Sequence, residues 1–462
     1  MNANLAQSRK NPLLLALALS IPAILEQLLV TATSYVDTAM VGSLGAGATA
    51  AISVTASCNW LINGVIMALG VGYSVRVAYY IGAGETELVR TCLIQAVLGS
   101  LILGIGAMAI GVPLSKVLPK WMGAAPAICQ DAFLYMLILM VVLPGRTFHA
   151  VFSAILRCMG DTRTPMIVNT LINLLNVVLN FFLIYSTKSY QVLGHSVTMP
   201  GAGWGVMGAA AATGISLIVG GIWLTAKVLL GSGEYRPRFR GNFHLNGKIQ
   251  REALNVAVPV ALERITISSG QIIMTRMVST LGTVSLAANY VAVTAEQICY
   301  MPAYGIASAS TALVSQNVGA GQWKKAKYFG KLTGWISVAL TAVLAAAMLI
   351  WSDALGSAFS SDPQVARLSG QMLRIVSVAE PLFSMSTVMS GALRGAGEAK
   401  YPFYVGVVCM LCIRVSLGAL MLFGFGMGLS AVWIAMAVDL NLRGIANYLR
   451  FVRGKWIPVC EK

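Results

Sequence analysis

The feature that most constrains this chain is a series of twelve apolar segments, each roughly 20 residues or longer. A helix of about 20 apolar residues crosses the hydrocarbon core of a bilayer, which is about 30 Å thick. The segments occupy residues 13–42, 47–80, 89–113, 126–157, 165–186, 202–230, 251–280, 284–317, 328–352, 364–393, 402–424 and 428–450. The sequence therefore predicts an all-α polytopic membrane protein with twelve transmembrane helices.

The charged residues agree with this interpretation. Only 10% of the 462 residues are charged, against about 25% in soluble proteins. Near the ends of the spans, 22 basic residues fall on the side of the N-terminus and four, Lys116, Lys120, Lys188 and Arg367, fall on the other side. By the positive-inside rule this distribution predicts a multi-pass protein of the cell (inner) membrane, surrounded by lipid, with both termini in the cytoplasm. The net charge of +16 then serves topology, and nucleic acid is not an expected partner.

The residue types that hold metals and reactive cofactors show no ligand pattern. The chain has eight cysteines and three histidines. The cysteines lie mostly in or beside apolar spans, where free cysteine behaves as a small hydrophobic residue, and the histidines lie far apart. We therefore expect no metal, no cofactor and no catalytic residue.

An internal repeat relates the two halves of the chain at one constant offset. "PAILE" at 22–26 matches "PVALE" at 259–263, and "LRCMGDTRTP" at 156–165 matches "LRGAGEAKYP" at 393–402. The triplet Gly-Ala-Gly at 82–84 recurs at 319–321 with the same offset. One offset that holds across three motifs indicates duplication of an ancestral unit.

This repeat predicts the organisation of the chain. The halves are residues 1–230 and 251–462, and a cytoplasmic linker, 231–250, joins them. Because each half holds six spans, both insert in the same direction. The sequence thus predicts two pseudo-symmetric six-helix lobes around a central cavity, as in secondary transporters that work by alternating access.

Acidic residues inside the spans are candidates for function, because an intramembrane carboxylate costs about 2.5–3.5 kcal/mol or more unless it is partnered. Asp37 aligns with Met274 of the other repeat, and Glu296 aligns with Asn59. These acids do not follow the duplication, so we predict that they serve function rather than architecture.

Glu26 and Glu263, by contrast, occupy equivalent positions in the two repeats. They follow the duplication as the glycines do. We therefore predict that both are mainly structural and hydrogen-bond at the equivalent helix contact of each lobe, and we keep them as secondary candidates for the coupling site.

Two polar stripes in the first half point to the same region. Glu26, Thr33 and Asp37 share one face of the first span, because they are spaced by seven and four residues. The fifth span carries asparagines spaced by four, three and four residues: Asn169, Asn173, Asn176 and Asn180. Amides facing lipid would be costly, so this face is predicted to look into the bundle. The alternative is that the stripe only hydrogen-bonds between helices.

The motifs together resemble the multidrug and toxic compound extrusion (MATE) family. "SYVDTAMVGSLG" at 34–45, the paired Gly-Ala-Gly loops and the two Leu-Arg motifs carry the resemblance, which covers essentially the whole chain. It implies two six-helix lobes in a V that export organic cations or amphipathic drugs in exchange for protons or sodium ions.

The resemblance also implies a coupling site. The aspartate of the "VDT" run falls on Asp37, the partner positions of the DinF-like branch fall on Asn176 and Asn180, and Thr213 is a further candidate. Asn180 departs from the branch pattern, because an aspartate is common there. The NorM-like branch has an acid on the tenth span, and 383–390 contain none. The resemblance is thus closer to the DinF-like branch than to the NorM-like branch.

Alternatives remain open at this stage. A lipid-linked oligosaccharide flippase of the same superfamily would share the repeats and the topology, but we would expect a more basic cavity. An integral membrane enzyme would need a convergent catalytic set, which the sequence lacks. For the coupling ion we favour a proton over sodium, because one buried carboxylate suffices for a proton. We expect a monomer.

Overall fold

The computed structural model describes residues 5–7, 11–122, 125–192, 195–231, 234–237, 244–360 and 362–457. Residues 232–233 and 238–243 of the predicted linker lie outside the described residues, as do the terminal basic residues 9, 10 and 462.

Long helices fall where the twelve spans were predicted, with boundaries that agree within five residues. The helices of the first half are α1 (Pro12–Gly42), α2 (Ala46–Ala83), α3 (Thr86–Ser115), α4 (Pro126–Val141 and Leu143–Cys158), α5 (Arg163–Ile184) and α6 (Gly205–Leu230). Those of the second half are α7 (Gly247–Ser279), α8 (Thr283–Gly319), α9 (Trp323–Ile350), α10 (Pro363–Ser377 and Glu380–Gly395), α11 (Lys400–Gly424) and α12 (Leu429–Arg453). Within the described residues, nine helices are long and apolar enough to cross a membrane, and the bent pairs α4 and α10 bring the number to eleven. The more polar α8 is the twelfth long helix.

Local sequence explains where several helices begin. Pro12 stands at the first turn of α1, where its missing N–H is no loss, and the side chain of Asn11 caps the helix by accepting from the Leu13 N–H at 2.9 Å. Asn246 caps α7 in the same way, accepting from two backbone N–H groups.

The bends in α4 and α10 occur at equivalent positions of the repeat. The axis turns by 53° in α4 and by 57° in α10. Pro144 and Pro381, which the repeat places opposite each other, lie at the second residue of the segment that follows each break. Since proline lacks an N–H and its ring disturbs the preceding turn, each break has a local cause that the duplication preserved.

Two features depart from the predicted all-α repeat. Strands Ser186–Val192 and His195–Ala202 form an antiparallel hairpin in the stretch by which the first half exceeds the second. In α11, residues Val408–Val415 and Leu420–Gly424 are π-helical, whereas the equivalent α5 is a regular α-helix. The π-turns shift the side chains of α11 relative to the faces that the repeat would give them.

Glycines allow the two halves to approach closely. A Cβ atom on Gly82 of α2 would lie 1.9 Å from the carbonyl oxygen of Gln316 in α8, and one on Gly319 would lie 2.0 Å from the carbonyl oxygen of Tyr79. Gly82 and Gly319 are equivalent in the repeat, so the contact is symmetric. The repeated Gly-Ala-Gly motif therefore encodes the seam between the lobes.

The N-terminal turn Leu5–Gln7 lies at the same seam. Its Leu5 side chain is buried in a cluster with residues of both halves, including Cys158 and Leu313. The backbone N–H of Leu5 donates to Gln316 Oε1 at 2.6 Å, and Gln316 Nε2 donates to the Cys158 carbonyl at 2.9 Å. This end of the molecule is closed by contacts among three segments that are distant in sequence.

Candidate functional site

Four of the predicted site residues come together in the first lobe. Asn180 Nδ2 on α5 donates to Asp37 Oδ1 on α1 at 2.7 Å. The Asn176 amide fits its neighbours best with its nitrogen toward the carboxylate, 2.8 Å from Asp37 Oδ1, and its oxygen 3.3 Å from the Thr213 hydroxyl of α6. Asn176 and Asn180 are buried, and Asp37 is half-buried.

This arrangement suits a carboxylate whose charge changes. In its ionised form Asp37 accepts from two amide N–H groups, which stabilise the charge. Once protonated, it would need an acceptor, and a half-turn of either amide would present an oxygen; Asn180 Oδ1 has no partner among the described residues that such a turn would break. The described residues contain no group of three His, Cys, Asp or Glu side chains that could hold a metal ion.

The secondary candidates Glu26 and Glu263 lie elsewhere, each in an ion pair with the arginine of the nearby Leu-Arg motif. Arg157 donates to Glu26 at 2.7 Å, and Arg394 donates to Glu263 at 2.7 Å. The two acids are equivalent in the repeat, and so are the two arginines. The structure thus shows the same interhelical contact in each lobe.

The asparagine stripe of α5 is divided between two networks. Asn169 Nδ2 donates to Glu26 at 2.5 Å, and Asn169 Oδ1 lies 2.6 Å from a ring nitrogen of His149. Asn173 lies between this network and the Asp37 site, and its Nδ2 has no partner among the described residues. Periodicity put all four amides on one face, but only two of them reach Asp37.

Glu296 belongs to the second lobe, where it lies near an acid that the sequence pattern did not single out. The carboxyl groups of Glu296 and of Glu380, which stands at the break of α10, interact electrostatically. Both side chains are buried, and neither carboxyl oxygen of Glu380 has a hydrogen-bond partner among the described residues. Although 383–390 lack an acid, Glu380 therefore places one inside α10, one turn earlier. Its position immediately before Pro381, the bend proline, was the available signal.

Comparison with known proteins decides the family. The MatE family model matches residues 22–182 and 259–420, which together make up more than half of the chain. The chain belongs to the MatE family. The two matched stretches begin at equivalent positions of the repeat. The resemblance read from the motifs is confirmed, and the protein is a membrane transporter of a multidrug efflux family.

Relatives and solved structures match over nearly the full length. The probable multidrug resistance protein NorM of Thermotoga maritima is 30% identical, covering 95% of this chain and 92% of the relative. The transporter YisQ of Bacillus subtilis is 23% identical, covering 91% and 90%.

Among solved structures, a multidrug resistance MATE transporter in an outward-facing conformation matches with a TM-score of 0.88 at 22% identity, covering 96% of both chains. A MOP superfamily transporter from Pyrococcus furiosus matches with a TM-score of 0.88 at 23% identity, also covering 96% of both. These solved structures confirm the predicted fold, with twelve helices in two lobes. The predicted proximity to the DinF-like branch finds no support here, because the relative at 30% identity is named NorM.

Proposed function

We propose that this MatE protein exports organic cations or amphipathic drugs in exchange for protons, with Asp37 as the proton-binding group. The lobes 1–230 and 251–462 would rock about the seam and expose the central cavity to each side in turn, with 231–250 as a cytoplasmic linker. In this proposal the protein works as a monomer in the inner membrane, with both termini in the cytoplasm.

The observation that supports this proposal is the set of partners of the buried acids. Among the described span residues, Asp37 is the buried or half-buried carboxylate that has neither an arginine nor a second acid as its partner. The others are Glu26 with Arg157, Glu252 with Arg76, Glu263 with Arg394, Asp439 with Arg443, and Glu296 beside the second acid Glu380. An intramembrane carboxylate with only neutral partners can take up a proton or a cationic substrate, and these two would compete for it.

The amide orientation favours a proton over sodium. Sodium prefers several oxygen ligands at once, so both Asn176 and Asn180, whose nitrogens face Asp37, would have to turn for it. A proton needs one carboxylate and one acceptor, which the amide oxygens supply. As part of the proposal we retain the closer resemblance to the DinF-like branch, because Asp37, Asn176 and Asn180 occupy the site positions of that branch in the first lobe.

Transport by Asp37→Asn tests the assignment. We expect the substitution to abolish export of a fluorescent organic cation from proteoliposomes that carry a pH gradient and no sodium, because it removes the carboxyl group around which the site is built. The matched control is Asp131→Asn, the same change at an exposed position of α4. Transport by Asp37→Asn at the wild-type rate would refute the role of Asp37, and wild-type transport that requires a sodium gradient would refute proton coupling.

A further inference from the structure

The second lobe contains a cavity at the place that the repeat makes equivalent to the Asp37 site. Its volume is about 550 Å³, within the range of small-molecule sites, and side chains of α7, α8, α11 and α12 line it. Met274 lines it where the first lobe has Asp37, at the offset of 237 residues. Beyond the longer outside loop of the first half the offset is 223, as in "GWG" at 203–205 and "GMG" at 426–428, and Met436 lines the cavity where α6 has Thr213. The acid and the hydroxyl of the first lobe are thus replaced by apolar, adaptable side chains.

One charged residue, Arg414, lines this cavity among the described residues. Its side chain belongs to the π-helical part of α11, and the equivalent residue of α5 is Val177. The repeat therefore has an acid at the first-lobe site and a base in the second-lobe cavity. The position that holds Val177 in α5 and Arg414 in α11 also differs in backbone structure, because α11 is π-helical there and α5 is not.

The side chain of Arg414 is buried and lacks hydrogen-bond partners among the described residues. It is 7% exposed, its Nε has no partner, and no described residue accepts a hydrogen bond from its guanidinium. The nearest acid, Asp439, lies 3.7 Å from Arg414 Nη1, but Asp439 already accepts from Nε and Nη2 of Arg443 at 2.6 and 2.7 Å. A buried guanidinium with free donors is costly, so an acceptor from outside the protein would be favourable.

The acids near Arg414 do not line the cavity, so Arg414 is the charged residue among its described lining. Glu296 is close enough to interact electrostatically with Arg414, but it does not line the cavity and it also interacts electrostatically with Glu380. The remaining lining is neutral, with Trp433, Leu286 and Val293 among it. The cavity thus offers a cationic donor at one place and apolar walls elsewhere.

We propose that this cavity, lined by Arg414, Met274, Met436 and Trp433, binds small amphipathic monoanions such as aryl carboxylates or sulfonates. The planar guanidinium pairs with the anionic group through charge-assisted hydrogen bonds, and the apolar body packs against the methionines and the indole. The site is separate from the Asp37 site and goes beyond the proposed cation export, since it gives the second lobe the opposite ligand preference.

Equilibrium binding of tritiated 2-naphthoate to the full chain in phosphatidylcholine nanodiscs tests the proposal, with binding to empty nanodiscs subtracted. We expect saturable binding whose affinity falls at least tenfold in Arg414→Gln. This variant should fold, because Asp439 keeps both hydrogen bonds from Arg443. A second variant, Ala287→Trp, fills the cavity from an exposed lining position and should also lose binding without removing a buried charge.

The matched control is Arg374→Gln, which removes the same charge at a half-exposed position outside the cavity and should bind 2-naphthoate within twofold of the wild type. 2-Naphthylmethylammonium, which has the same rings and the opposite charge, should compete at least tenfold less well than unlabelled 2-naphthoate. Absence of saturable binding, unchanged affinity in Arg414→Gln, or equal competition by the ammonium compound would each overturn the proposal. Because no ion gradient is present, these results do not depend on the coupling role of Asp37.

Discussion

At the scale of single residues, the partner of each acid distinguishes the acids that we interpret as structural from the acid that we propose to bind the coupling proton. Glu26 and Glu263 each accept from an arginine that the duplication placed opposite them, while Asp37 accepts only from amides. A fixed positive charge holds a carboxylate in its ionised form, whereas an amide can serve either form because it has both a donor and an acceptor.

Asn180 is the amide whose loss should affect coupling most. We expect Asn180→Leu to reduce substrate-dependent proton flux at least tenfold, because the ionised Asp37 loses a hydrogen bond of 2.7 Å and gains an apolar neighbour. Asn173→Leu is the matched control on the same helix, since the Asn173 amide nitrogen makes no hydrogen bond in the described structure. Both are measured by fluorescence of a trapped pH indicator in proteoliposomes. Equal losses in the two variants would contradict the assignment.

Glu26→Gln should act mainly on stability. The change leaves Arg157 buried without its counter-charge, which costs about 3 kcal/mol or more. We expect a lower melting midpoint in detergent, and a double variant with Arg157→Gln that is less destabilised than the sum of the single changes. Glu263→Gln in the other lobe is the internal comparison and should behave alike. Loss of transport without loss of stability would show that Glu26 belongs to the coupling site.

At the scale of helices and strands, sequence alone predicts those features of the fold and the site that depend on regular helix geometry. The length of the apolar runs predicts the spans, and the constant offset predicts the repeat. Helical spacing and family resemblance together predict that Asp37, Asn176, Asn180 and Thr213 form one site. The split of the asparagine stripe was not predictable, because periodicity defines a face but not how far a neighbouring helix runs along it.

The contacts that sequence missed occur where a helix is irregular. Glu380 meets Glu296 at the break of α10, and Arg414 reaches the cavity from a π-helical turn of α11. A helical wheel assumes 3.6 residues per turn throughout, so it misplaces side chains beyond a bend or a π-turn. The hairpin Ser186–Val192 and His195–Ala202 was missed because the repeat offered no second copy for comparison.

At the scale of the whole molecule, the duplication preserved the seam, whereas the Asp37 site and the second-lobe cavity diverged. The glycines of the seam and the Glu–Arg pairs recur at the same offset, whereas Asp37 and Arg414 have no counterpart of the same charge. The proposed rocking of the lobes would require the seam to close and open, so changes there should affect transport without touching the Asp37 site or the second-lobe cavity.

Alanine at the seam glycines tests this expectation. In Gly82→Ala or Gly319→Ala the new methyl group would meet a backbone carbonyl oxygen of the other half, at 1.9 Å and 2.0 Å respectively, so the helices must separate. We expect transport to fall at least tenfold in both variants, with affinity for substrate retained. The matched control, Gly106→Ala, adds a methyl group in α3 where nothing lies within 4 Å, and should leave transport unchanged. Wild-type transport by either seam variant would show that the close approach is dispensable.

The turn Leu5–Gln7 has a practical consequence for experiments on this protein. Its Leu5 side chain is buried between the halves and its backbone is hydrogen-bonded to Gln316, so this turn can remain in place only while that end of the molecule is closed. An affinity tag or fluorescent protein fused ahead of it would pull on the same contact and bias the resting population of transporters. A small environment-sensitive dye attached there would instead report, in real time, when the two halves part.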